Sequence, residues 1–128
     1  MSYYFSKVSN KDFENTITDV TEELKKEGFG VLTQIDVKET LKKKLDVDFR
    51  KYKILGACNP QFAYQALQNE SEIGTMLPCN VIIQETSDGK VKVSAVDPVA
   101  SMMAIKNEKL GEVATQVRAK LQKVIESI

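Results

Sequence analysis

The chain has 128 residues, 42% hydrophobic and 28% charged, and its 18 basic side chains balance 18 acidic ones. That length suits one domain whose core is large enough to fold without staples. The lack of His excludes His-dependent triads, His general acid–base work and His-ligated metal sites.

Tyr3 to Val8 is aromatic and β-branched and reads as a first strand. Ser9, three residues before Asp12, resembles a weakened capping box. Phe13, Ile17, Val20 and Leu24 then recur at steps of four, three and four, which gives one apolar helical face over about residues 11–27. Gly28 is the natural stop. Gly30 to Asp36 reads as a second strand, and Val37, Leu41 and Leu45 support a short Lys-rich helix.

Tyr52 to Ala57 is the third strand. Pro60 can open a helix at its first position, with Phe62, Ala63, Ala66 and Leu67 as its apolar side up to about Asn69. Val81 to Thr86 is the fourth strand. Asp88-Gly89 signals a tight hairpin, and Lys90 to Val96 alternates as a half-solvated strand should. Pro98 breaks it, Val99 to Ile105 forms a short helical segment, and Leu110, Val113, Val117, Leu121, Val124 and Ile128 mark a last helix over about 108–127. The expected class is therefore α+β: a single mostly antiparallel sheet with helices packed on one face, in the order β-α-β(4)-α with short inserted helices.

Charge is uneven along the chain. Residues 12–27 are mainly acidic, and residues 42–53 hold Lys42, Lys43, Lys44, Arg50, Lys51 and Lys53 against Asp46 and Asp48. A solvated basic face balanced by an acidic helix is the expectation, and no nucleic-acid partner, because such binders usually carry a net basic charge. The glycines never precede Lys-Ser or Lys-Thr as a phosphate loop requires. Gly28-Phe29-Gly30 lacks the third glycine of a dinucleotide fingerprint and follows a helix. The apolar runs are too short to span a membrane. With two Cys and no export signal, the expectation is a cytoplasmic protein with free thiols.

Cys58 ends the third strand and Cys79 begins the fourth. If those strands are antiparallel neighbours, the 60–69 helix is an excursion that returns to the same sheet edge, and the two sulfurs come near one another. Three chemistries would follow: a reversible disulfide, a soft-metal site with Met102 or Met103 as weak extra ligands, or a nucleophilic thiolate tuned by the helix start and by Lys53. Against these stands the bland alternative that free Cys packs as a small buried hydrophobe. Asn59 and Asn80 would hydrogen-bond a ligand. Asp36 and Asp97 end strands and could line a cleft, although a helix cap and a turn residue account for them.

Several stretches taken together resemble the "domain of unknown function 302" family of small bacterial and archaeal proteins. They are Gly28 to Asp36, Phe49 to Pro60, Leu77 to Val81 and Val96-Asp97-Pro98; Gln34 departs from the family pattern, which favours an acid there. The resemblance implies a fold similar to the TATA-binding-protein-like class and a homodimer. It implies no activity and no cofactor, and fold alone carries no function. The leading expectation is a small-molecule or thiol-reactive binding module, with Cys58, Asn59, Cys79 and Asn80 at a pocket closed by the 60–69 helix. The alternatives are a Cys-dependent enzyme or soft-metal binder, and a homodimeric interaction module with no chemistry.

Overall fold

The computed structural model describes residues 2–128. Its elements are β1 (Tyr4–Ser9), α1 (Phe13–Lys26), β2 (Gly30–Asp36), α2 (Val37–Leu45), β3 (Tyr52–Cys58), α3 (Pro60–Asn69), a 3-10 turn (Ser71–Met76), β4 (Cys79–Glu85), β5 (Val91–Val96), α4 (Pro98–Ser101) and α5 (Glu108–Glu126). The strands form one five-stranded sheet in the order β1-β5-β4-β3-β2. Every neighbouring pair is antiparallel.

Local chemistry explains the boundaries. The cap of α1 is Asp12, whose carboxylate accepts the Asn15 backbone N–H at 2.8 Å. Ser9 is instead bonded through its hydroxyl to the Thr16 hydroxyl at 2.8 Å in the core, so the capping signal begins three residues later than the sequence implied. After α1 the chain turns at Gly28 with φ +86°, a left-handed conformation that glycine takes without a Cβ penalty. Gly89 closes the β4–β5 hairpin with φ +80°.

Alternation along the strands sets the core. Leu55 and Ala57 of β3, Val81 and Ile83 of β4, and Val93 and Ala95 of β5 face the same side and are buried. The buried stripes of α1 (Val20, Leu24) and α5 (Leu110, Val117, Leu121, Val124) cover them. Full burial of such a side chain is worth about 1.5–3 kcal/mol, so these two helices hold the sheet. The opposite sheet face is only partly covered: Tyr4, Val8 and Ile35 remain 38%, 48% and 48% exposed.

Candidate functional site

The sheet ends where β3 stops and β4 begins, and α3 leaves from that edge. Pro60 opens α3 at its first positions, with Asn59 as the cap residue. Pro98 likewise opens α4, and Asp97 caps it by accepting the Val99 N–H at 3.0 Å. Two proline-initiated helices thus stand over one end of the sheet, and the first half of α5 closes the third side. The facing positions carry small side chains, among them Ala63, Ala66 and Ala114. They leave a cavity of about 320 Å³.

Its wall is built from Phe29, Ala57 and Leu77 on the sheet side, Phe62 and Ala66 of α3, and Leu110, Val113 and Val117 of α5. Leu32, 68% exposed, and Leu67, 44% exposed, belong to the same wall, so the cavity reaches the surface. Cys58, Asn59 and Cys79 all contribute to it, while Thr33 adds a hydroxyl. A second cavity of about 310 Å³ lies beside it and is lined by Met76, Asn80, Val96 and Ser101. Pro78, Cys79, Pro98 and Met102 are common to both walls.

The expected thiol pair does not form. Cys79 is opposite Ala57, whereas Cys58 is opposite Gly30. Successive strand residues point to opposite sides, so the one-residue offset turns Cys58 away from Cys79, and the two are not close. Both are free cysteines; Cys58 is half-buried and Cys79 buried. Burial, with the Cys58 charge second, pushes the Cys79 thiol up to about 11. It is a protonated, packing thiol at neutral pH rather than a nucleophile.

Other expected site residues separate as well. Lys53 is the second residue of β3 and Cys58 the last, a span of roughly 17 Å at about 3.3 Å per residue, so Lys53 cannot tune that thiol. The Asp36 carboxylate caps α2 through the Glu39 N–H at 2.9 Å. Asp97 is buried and holds the Arg118 Nε at 3.1 Å as well as its cap. The Asn59 amide nitrogen donates to the Glu27 carbonyl at 3.2 Å, which ties α3 to the turn after α1. Asn80 is exposed at the mouth of the second cavity. Of the expected soft-metal donors, Met102 lines both cavities, but Met103 is 64% exposed. Among the described residues no group of three or more His, Cys, Asp or Glu is placed to hold a metal ion.

Part of the basic segment is paired within itself. Lys42 lies 3.1 Å from Asp46 and 3.6 Å from Asp48, Lys43 lies 3.1 Å from Glu39, and Lys38 donates to the Phe49 carbonyl. Exposed pairs of this kind are worth little. Among the described residues no helix is long and apolar enough to cross a membrane.

The model of the family described as "Domain of unknown function DUF302" matches residues 5–128. The chain belongs to the DUF302 family. No curated protein matches it. A crystal structure of an uncharacterized conserved DUF302 protein from Bacillus stearothermophilus superposes with a TM-score of 0.92 at 29% identity, covering 99% of this chain and 98% of that one. The DUF302 fold therefore places these cavities on a backbone shared with that relative.

The sequence carried a signal for the cavity that periodicity alone does not read: Ala63, Ala66 and Ala114 fall on apolar helix faces, where small side chains leave room instead of filling it.

Proposed function

We propose that this DUF302 protein is a binding module that takes a small apolar molecule into the cavity under α3. The observation that supports this most is the cavity itself: about 320 Å³, open at Leu32 and Leu67, with no charged side chain in its wall. An engineered cavity of roughly 150 Å³ already holds benzene, so this one has room for about twice as many carbon atoms. Pockets of a few hundred Å³ with apolar walls and a few polar groups are the usual form of small-molecule sites. Cys58, half-buried in the wall, is the thiol a reactive ligand would meet, and a reducing cytoplasm would keep it available.

The neutral fluorophore N-phenyl-1-naphthylamine tests the reading. It should bind saturably at one site per chain, and Ala63→Phe, which fills the cavity from α3, should abolish the signal while the circular dichroism spectrum is retained. Failure of the wild-type protein to give saturable binding would overturn the proposal.

A second reading concerns the partly covered sheet face. Its strand positions alternate through Tyr4, Val8, Ile82, Ile54 and Ile35, with Lys92 the charged residue among those of β1, β3, β4 and β5 on that side. A second copy of the chain is the occupant this face fits. Both copies are formally neutral, so no net charge opposes self-association, and a two-fold axis would set the same largely apolar patch against itself. Sedimentation equilibrium should give twice the 14.3 kDa chain mass, reverting to the monomer in the Val8→Glu, Ile35→Glu double variant. A monomeric wild-type protein at about 100 μM would refute it, since specific interfaces of this kind commonly hold well below that concentration.

A further inference from the structure

The two cavities at the sheet end are adjacent and share Pro78, Cys79, Pro98 and Met102 in their walls. Three of these are rigid or held in place: two prolines, and a buried thiol at the start of β4. Met102 is different. It is half-exposed at the end of α4, where helix gives way to the segment leading into α5, and its side chain has three freely rotating bonds. A rotation of that one side chain would reshape the wall the two cavities share without moving backbone.

The two compartments differ in chemistry. The first is almost wholly carbon. The second presents the exposed Asn80 amide and Ser101. The Ser101 hydroxyl donates to the Pro98 carbonyl, which leaves its oxygen free to accept. No Asp, Glu, Lys or Arg lines either cavity, so an ionic ligand group would lose its hydration in the first and meet no counter-charge in the second. The nearest buried charge is Asp97, beside Val96 and Pro98 of the walls, and Arg118 and the α4 backbone hold it in place.

From this the geometry points to one continuous site for an elongated, uncharged amphiphile: a hydrocarbon chain in the cavity under α3 and a hydroxyl-type head at Asn80 and Ser101, with Met102 as the movable partition between them. This deepens the binding-module reading and rests on it. Scaling from benzene in roughly 150 Å³, the first cavity holds a chain of about a dozen carbons. A fatty alcohol matches both compartments, and the corresponding fatty acid matches only the first.

Displacement of N-phenyl-1-naphthylamine by 1-alkanols tests the inference on the full chain. Affinity should rise about fourfold per added methylene, the gain expected for each buried CH₂, up to roughly ten to twelve carbons. 1-Decanol should bind at least about tenfold tighter than decanoate, whose charged head would find no counter-charge beside Asn80 and Ser101. Asn80→Ala, at an exposed position, should weaken 1-decanol by about three- to tenfold, the loss of one hydrogen bond, and leave fluorophore affinity and the circular dichroism spectrum unchanged. If the fluorophore fails to bind, the cavity reading itself is wrong. If it binds while decanoate equals or exceeds 1-decanol, or while Asn80→Ala leaves 1-decanol unaffected, the cavity stands and the two-compartment ligand is overturned.

Discussion

Raising the pH should destabilise this protein through Cys79 in particular. Its thiol is buried at the start of β4 and its pKa is pushed up to about 11 from an ordinary 9.0, first by desolvation and then by the charge of Cys58. The folded chain therefore holds this proton more tightly than the unfolded chain. The stabilisation is complete below the unfolded value and is lost as pH rises toward the folded one, at about 1.4 kcal/mol per pH unit. Between about pH 8 and pH 10.5 the loss amounts to about 2 kcal/mol. Lysines and tyrosines titrate in the same window, so the assay is urea unfolding, in reductant, of wild type and Cys79→Ala side by side. The wild type should lose about 2 kcal/mol more than the variant over that interval. Parallel losses would refute the claim that the thiol is desolvated. A kinetic corollary follows at about pH 8: the small thiolate fraction of Cys79 should slow its alkylation about 100-fold relative to an ordinary thiol, so Cys58 alone should react before unfolding.

Gly56→Ala should destabilise the fold by about 1–3 kcal/mol, because the added Cβ would clash with the Thr33 hydroxyl and meet Pro78 Cγ at 2.8 Å; a urea midpoint equal to wild type would contradict this. Asp97→Ala removes the cap of α4 and the Arg118 partner together and should cost about 2–3 kcal/mol in the same assay, whereas Arg118→Gln should cost less because that side chain is partly exposed. Asp12→Ala should cost about 1 kcal/mol by leaving the first turn of α1 uncapped, and an unchanged midpoint would assign that cap no weight.

The elements with strong periodicity could be read before any coordinates. The four-three-four spacing of Phe13, Ile17, Val20 and Leu24 and the longer run from Leu110 to Val124 became α1 and α5, because a long stripe admits only one way to bury itself. Asp88-Gly89 became the hairpin it signals. The 3-10 turn at Ser71–Met76 gave no such sign: Ile73 is its sole buried residue, and a single apolar position has no period. Register was the deeper limit. The strands β3 and β4 are the antiparallel neighbours that the thiol-pair expectation required, but the identity of the residue opposite Cys79 is set by the length of the excursion through α3 and the turn after it. One position's difference put Ala57 there instead of Cys58, and a slip of one residue exchanges the two sides of a strand. Lys53 failed for a related reason: nearness in sequence becomes distance in an extended chain. Asp36 and Asp97 are the caps that the plainer reading of each allowed or nearly allowed, a helix cap for the first and, for the second, a cap where a turn was expected.

The cavity under α3 is the centre of this account, and its occupancy can be observed directly. Methyl-labelled protein with 1-decanol should show intermolecular nuclear Overhauser effects to Leu110, Val113, Val117 and Met102, all in the cavity wall. Contacts confined instead to Ile54 and Ile82 on the open sheet face, or none at saturating alcohol, would contradict it.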